Sequence, residues 1–260
     1  RLTEVGNAMM STGRTLSTVI TGPIALAAGT LASAGIRFED SFADVGKTVA
    51  GVSVGFEEIA EAAQSRLGIT ITTMDEARQA AQQLGMAFGD LTPVGMQLRE
   101  EFRRLGQEIP LAYTELNRLG GVVGQLGVQT PEAVLEVTRT VAMLGTTTNM
   151  SAEEAAMALM HFANIMGVTA DQVPDYIHRL ASAVVDLGNN SVSTESEIVQ
   201  MAMRLAGAGR IAGMSSQDIL GFATALTDMG IRAEMGGTAL SRTIQNMMFA
   251  VADGGEQLET

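Results

Sequence analysis

Residues 145–167 read GTTTNMSAEEAAMALMHFANIMG, and this stretch indicates how the rest of the chain folds. Ser151 with Glu154 matches a capping box, in which two side chains satisfy free backbone N–H groups at the start of a helix. Apolar residues then recur at helical spacing, and Gly167 suits the left-handed position that commonly follows a last turn. The stretch therefore predicts one short helix with its own start and stop signals.

The same start signal recurs along the chain, so we expect a series of short helices. The further pairs are Thr73/Glu76, Thr169/Gln172, Thr194/Glu197 and Ser215/Asp218. Two other starts, at Thr92 and Thr130, place Pro directly after the capping Thr, where its missing N–H costs nothing. Ser53 is expected to cap a helix over residues 54–67, which Gly68 ends.

Glycine and asparagine mark the predicted helix ends and turns. The helix after the Thr169 pair is predicted to stop at Gly188-Asn189-Asn190, because Gly and Asn both tolerate positive φ. Gly236-Gly237 is predicted to form a tight turn before a last helix, and Gly145 is expected to close an earlier one. The glycines of the run 120–124 lie inside a predicted helix, where they are expected to allow close contact with a neighbouring helix.

These signals predict an all-α fold, built as an array of short antiparallel helices and helical hairpins with an N-terminal apolar helix. An elongated, oligomeric arrangement fits the same pattern. We divide the chain into an apolar N-terminal segment over residues 1–37, a helical region over residues 38–125 and a helical core over residues 126–260. Because the helices are short and separately capped, this part of the chain does not predict a long heptad coiled coil.

The composition limits the kinds of function that the chain can have. Hydrophobic residues make up 46% of it, yet aromatic residues make up only 4%, so the core depends on aliphatic side chains, 17 Met and close approach at 29 Gly. The net charge of −13 disfavours specific nucleic-acid binding, because such a surface repels phosphates. The chain contains no Cys, which excludes disulfides and thiolate chemistry.

Residues that could carry chemistry do not form a recognisable centre. His161 and His178 fall on different predicted helices, with no HExxH motif and no third convergent ligand. Two pairs of adjacent glutamates occur, but neighbouring helical positions point about 100° apart, so neither pair would flank one substrate. Those pairs are Glu57/Glu58 and Glu153/Glu154. We therefore predict a protein that is not an enzyme and uses no cofactor or metal.

Several stretches together resemble the shared core of phage tail tape measure proteins. They are GPIALAAGTLASAGIRFEDSF (22–42), YTELNRLGGVVGQLGVQTPEAVLEV (113–137), the opening stretch 145–167, DLGNNSVSTESEIVQMAMRLAGAG (186–209) and GMSSQDILGFATALTDMGIRAEMGGTALSR (213–242). No single motif is diagnostic, but their order and spacing are specific. The resemblance covers roughly residues 5–258 and is weakest between residues 70 and 106.

The resemblance implies a structural protein that fills the tail tube during assembly, sets the tail's length and leaves ahead of the DNA at infection. It implies tail tube and tail tip proteins as partners, a place in the lumen of the tail or its tip, and contact with the host envelope during ejection. Self-association is also expected, with a trimer favoured over a hexamer by tail symmetry and family analogy.

The segment Thr15–Ile36 carries no charged residue and would span about 33 Å as a straight helix, close to the thickness of a bilayer core. Ala25, Gly29 and Ser33 form a stripe of small residues that would let helix backbones touch. Three interpretations stay open: a signal peptide, a buried or self-associating helix, and a segment that enters a membrane during infection.

Two other functions fit parts of the sequence. A secreted, pore-forming helical protein would use the uncharged segment to enter membranes. A helical domain appended to a cell-wall hydrolase would accompany an enzyme, and peptidoglycan zymography would then show clearing.

Overall fold

The computed structural model describes residues 41–258, with side chains up to residue 251. This part of the chain contains eleven α-helices and no β-strand, so the all-α prediction is confirmed. The helices are α1 (41–48), α2 (Phe56–Leu67), α3 (Met74–Leu84), α4 (Pro93–Glu108), α5 (Tyr113–Gln125), α6 (Pro131–Thr147), α7 (Ala152–Met166), α8 (Val173–Asn190), α9 (Glu195–Ile211), α10 (Ser216–Asp228) and α11 (Ala233–Leu258).

Most of the predicted helix starts are confirmed. Capping boxes with both reciprocal hydrogen bonds open α3, α7, α9 and α10, at the four pairs Thr73/Glu76, Ser151/Glu154, Thr194/Glu197 and Ser215/Asp218. Thr92 and Thr130 each accept a hydrogen bond from a backbone N–H in the first turn, ahead of α4 and α6. Gly68 and Gly167 take the left-handed conformation after α2 and α7, with φ of 67° and 77°.

Two predicted caps are wrong. Thr169 and Gln172 form a separate turn in which the Gln172 N–H donates to the Thr169 carbonyl at 2.9 Å, and α8 begins only at Val173, with Pro174 in its first turn. Ser53 does not cap α2, because its hydroxyl donates to the Gly46 carbonyl at 2.6 Å. Gly55 takes the capping position of α2 instead.

The predicted stop at Gly188-Asn189-Asn190 is confirmed in its position, because α8 ends at Asn190, but its predicted left-handed conformation is wrong. Helix α8 continues through Gly188 to Asn190, and the glycines with positive φ in the described part of the chain do not include Gly188. Glycine serves a different purpose there, since a Cβ would lie 2.6 Å from Cγ of Glu195 at the start of α9 and would displace that side chain. The Asn190 amide donates to the Asp186 carbonyl at 2.8 Å and so satisfies one carbonyl at the helix end.

The predicted turn at Gly236-Gly237 is also wrong, because both glycines lie inside the continuous helix α11. A Cβ on Gly237 would lie 2.6 Å from Cβ of Arg204, so this glycine lets α11 approach α9 closely. Gly145 likewise does not end α6, which runs to Thr147, and a Cβ on Gly145 would lie 2.5 Å from the backbone N of Ala152. In each case tertiary contact, and not local backbone freedom, explains the glycine.

Two clusters of buried side chains hold the helices together. The larger cluster runs from Phe42 in α1 to Ala233 in α11 and includes edge-to-face packing of Phe42 on Phe102, with ring centroids 5.7 Å apart. The smaller cluster joins α2 to α3. A Cβ on Gly120 would lie 2.6 Å from the Phe102 ring, and one on Gly124 would lie 2.5 Å from Oγ1 of Thr48. The predicted close contact at the glycines of α5 is confirmed.

Candidate functional site

Two of the predicted site residues, Gly188 and Gly237, lie against α9, whereas Asn189 lines a groove between α6 and α8 and Asn190 bonds back to Asp186 of its own helix. Gly188 faces the first residue of α9, Glu195, and Gly237 faces Arg204 near its middle. Helix α9 packs against α7, α8, α10 and α11. The small-residue stripe at Ala25, Gly29 and Ser33 and the apolar segment Thr15–Ile36 lie outside the described residues.

Buried side chains occupy one broad face of α9, which explains its contacts with several neighbouring helices. Ile198, Met201 and Ala206 are fully buried, and Ala202 and Leu205 are nearly so. A change in the packing of α9 would therefore affect its four neighbours, α7, α8, α10 and α11.

The loop between α8 and α9 is held by Asp228, the last residue of α10. One carboxylate oxygen of Asp228 accepts hydrogen bonds from the Ser193 hydroxyl at 2.6 Å, the Ser193 N–H at 3.0 Å and the Val192 N–H at 3.2 Å. Sequence reasoning missed this contact because no spacing rule connects residues so far apart in the chain. The only signal in the sequence was a short polar residue, Asp228, at a helix end two positions before Gly230, and this pattern is common to many loops.

Other side chains outside the buried core connect α8 to α10 and α9 to α7. The Tyr176 hydroxyl on α8 lies 2.6 Å from the Ser216 hydroxyl on α10, and burial raises the pKa of Tyr176. The Arg210 guanidinium on α9 donates to the Ile165 carbonyl in the last turn of α7. Such a contact satisfies one of the free carbonyls at a helix C-terminus and places positive charge there.

The capping carboxylates are exposed, yet they titrate below their ordinary values. Backbone N–H donation from Ser151 is the main cause of the lowered pKa of Glu154, and donation from Thr194 does the same for Glu197. For Asp218, the hydroxyl of Ser215 is the main cause. Each of these carboxylates caps the start of a helix. This structural role explains its lowered pKa, so no catalytic role is needed to explain it.

The described side chains do not converge on a reaction centre. His161 and His178 are exposed on α7 and α8. Among residues 41–251, no group of three or more His, Cys, Asp or Glu side chains is placed to hold a metal ion. No helix within residues 41–258 combines the length and apolar character needed to cross a membrane.

Two grooves on the surface have mainly apolar walls. One, of about 460 Å³, lies between α6 and α8 and includes Met143 and Val185. The other, of about 480 Å³, lies between the end of α9 and the second half of α11. Its lining residues are Ala212, Met214, Ile244, Met247, Met248 and Val251. Surfaces of this kind are suited to binding other helices.

Comparison with known families matches this helical array. The sequence model of the family described as phage-related minor tail protein matches residues 99–259, more than half of the chain and nearly all of the helical array from α4 to α11. The chain belongs to the phage-related minor tail protein family. The resemblance seen in the sequence is thereby confirmed.

One relative of this minor tail protein chain is the "Probable tape measure protein" of Halomonas phage phiHAP-1. The two are 26% identical over 113 residues, which is 44% of this chain and 13% of the relative. The chain thus spans only a small part of the relative's length. No solved structure matches the chain.

Proposed function

We propose that this chain is a structural segment of a phage tail tape measure protein, without catalytic activity. The observation that carries the proposal is the family match over residues 99–259, supported by the named relative. In this proposal the whole protein fills the tail tube during assembly, sets the tail's length, and leaves at infection to assist genome passage through the host envelope.

The length-setting role has a simple physical basis. An extended α-helix advances about 1.5 Å per residue, so the length of a helical filler scales with its number of residues. The described helices pack against one another in a folded array, which makes them a poor ruler. We assign this segment to a folded region near the tail tip and the ruler to other parts of the full-length protein.

The proposed partners follow from this location. The segment would contact tail tube and tail tip proteins, and its copies would associate, with a trimer favoured over a hexamer. We expect no specific nucleic-acid binding, because a net charge of −13 repels the DNA that later passes through the tube.

The domain division also remains our proposal: an apolar segment over residues 1–37, a helical region over residues 38–125 and a helical core over residues 126–260. The segment Thr15–Ile36 would contact the host membrane during ejection. Sedimentation of the chain with liposomes tests that role, and a variant carrying Gly29→Asp provides the control. Equal recovery of both proteins from the supernatant would contradict membrane contact.

The composition of phage particles before and after ejection tests the proposed location and release. The segment should be detected by mass spectrometry in purified intact particles at a fixed number of copies per tail. It should be depleted from particles that have released their DNA. Absence of the segment from intact tails, or full retention after ejection, would contradict the proposal.

A further inference from the structure

Helix α11 has two halves with different surroundings. Its first half is held against α9, where Gly237 lies beside Arg204 and the Ser241 hydroxyl donates to the Arg204 carbonyl at 3.1 Å. Helix α9 ends at Ile211, about two turns beyond Arg204, whereas α11 continues to Leu258. The second half of α11 therefore extends past the helix that supports the first half.

An apolar seam, which we define as Leu240, Ile244, Met247 and Val251, runs along α11 into this second half. It begins in the first half, where Leu240 is half-buried against the larger core cluster, and it becomes exposed at Met247 and Val251. The spacing of four, three and four residues is that of the a and d positions of a heptad, so these side chains share one helix face. Met247 is 63% exposed and Val251 is 75% exposed. Ile244, Met247 and Val251 also form one wall of the groove of about 480 Å³ beside Ala212 and Met214.

The charges around the seam indicate what covers it. Between Glu234 and Asp253 the only ionised side chain of α11 is Arg242, although the chain as a whole has a net charge of −13. Two copies of so acidic a chain repel each other over most of their surfaces, but not along this uncharged stretch. A helix that binds an anionic lipid surface normally carries several basic residues on its polar face, and α11 offers one. The surface therefore fits a second copy of this chain better than a membrane.

We propose that copies of this chain associate through α11, with the seam of one copy packed against the seam of another. The seam is self-complementary, as a symmetric contact requires, because it is apolar along its length and has no charged neighbour at the flanking positions Ser241, Thr243, Met248 and Ala250. The flexible Met side chains adjust to fill the groove beside Ala212 and Met214. This contact names the surface for the self-association in the proposed function, on which it rests, and it can be measured in solution without a phage particle.

The test is sedimentation equilibrium of the 260-residue chain and of two variants with the same change of charge. Met247→Glu places a carboxylate in the seam. Phe249→Glu places one at a side chain that is 70% exposed and lies about 200° further around the same helix. The wild-type chain should associate, Met247→Glu should weaken the association about tenfold or more, and Phe249→Glu should leave it within about twofold. Circular dichroism checks that both variants keep the wild-type helix content.

A second pair of variants keeps the test independent of the introduced charge. Because the chain has no Cys, Met247→Cys and Phe249→Cys each provide one thiol, and any disulfide must join two copies. Mild oxidation should link Met247→Cys much faster than Phe249→Cys. Equal linking of the two, a monomeric wild-type chain, or equal association of the two Glu variants would overturn the proposal. Flotation of the wild-type chain with phosphatidylglycerol vesicles, abolished by Met247→Glu, would overturn it in favour of lipid.

Discussion

The carboxylate of Asp228 accepts a hydrogen bond of 2.6 Å from the hydroxyl of Ser193, and this contact joins the end of α10 to the loop between α8 and α9. The same carboxylate accepts from two backbone N–H groups of that loop. Ser193 is buried, so its donors have little access to water. One acidic side chain thereby ties the end of α10 to the loop between α8 and α9.

Removing this carboxylate should destabilise the fold. Asp228→Ala leaves three donors without their acceptor, and hydrogen bonds to charged groups contribute about 1.5–3 kcal/mol each, although the loop can partly relax. We expect the free energy of unfolding in urea to fall by about 2–3 kcal/mol. Asp171→Ala, at an exposed site before α8, is the matched control and should change it by less than about 0.5 kcal/mol. Equal effects of the two substitutions would contradict the role of Asp228.

The capping boxes predict loss of stability in acid. Hydrogen bonds hold the pKa of Glu154 and Glu197 below the ordinary value of 4.5, so the ionised forms stabilise the fold. That contribution is complete above this value and is lost as the pH falls through the lower pKa values of the folded state. The melting temperature should therefore decrease in acid, and less steeply when both residues are replaced by Gln.

The control for this pH dependence is Glu132→Gln, in the first turn of α6 but outside any capping box. This substitution should leave the decrease of the melting temperature with falling pH unchanged. If the melting temperatures of the double Gln variant and the wild-type chain decreased equally in acid, the capping boxes would not cause the loss of stability.

Glycines at helix contacts should differ sharply in their tolerance of alanine. A Cβ on Gly145 would meet the backbone of Ala152, which cannot move aside, so Gly145→Ala should cost about 1–3 kcal/mol. Gly221 in α10 has open space around it, and Gly221→Ala should stabilise the helix by about 0.5–1 kcal/mol. Gly188→Ala should lie between them, because the Glu195 side chain that it meets can swing away. Chemical denaturation of the three variants would reveal this order or refute it.

A buried threonine gives a prediction in the opposite direction. Thr138 is fully buried, and its hydroxyl finds no hydrogen-bond partner among the described residues. Thr138→Val keeps the shape and removes a desolvated polar group, so it should stabilise the fold by about 1 kcal/mol or more. Thr224→Val is the matched control, because the Thr224 hydroxyl donates to the Leu220 carbonyl at 2.9 Å. That variant should be neutral or slightly destabilising by thermal melting.

Local signals in the sequence predict most of the helix starts because a capping box involves residues only three positions apart. Ser151 and Glu154 are found as expected, and so is the left-handed Gly167. The roles of Gly188 and Gly237 were not predictable in this way. Their neighbours, Glu195 and Arg204, belong to another helix, and glycine serves equally in a turn and at a close contact. A local rule could not distinguish these two uses.

The contact between Asp228 and Ser193 and the continuity of α11 escaped prediction for the same reason. Both depend on which helices become neighbours, and packing against α9 outweighs the helix-breaking tendency of Gly236-Gly237. The seam residues Ile244, Met247 and Val251 all lie in the last helix that the sequence predicts, so the unpredicted feature is the start of that helix at Ala233 and its packing against α9.

We propose that this chain belongs to a protein whose length sets the length of a phage tail. The most direct measurement is tail length in electron micrographs of phage whose full-length gene carries an in-frame deletion in its extended helical regions. We expect tails shorter by about 1.5 Å for each residue removed. Tails of unchanged length on otherwise intact particles would contradict the account.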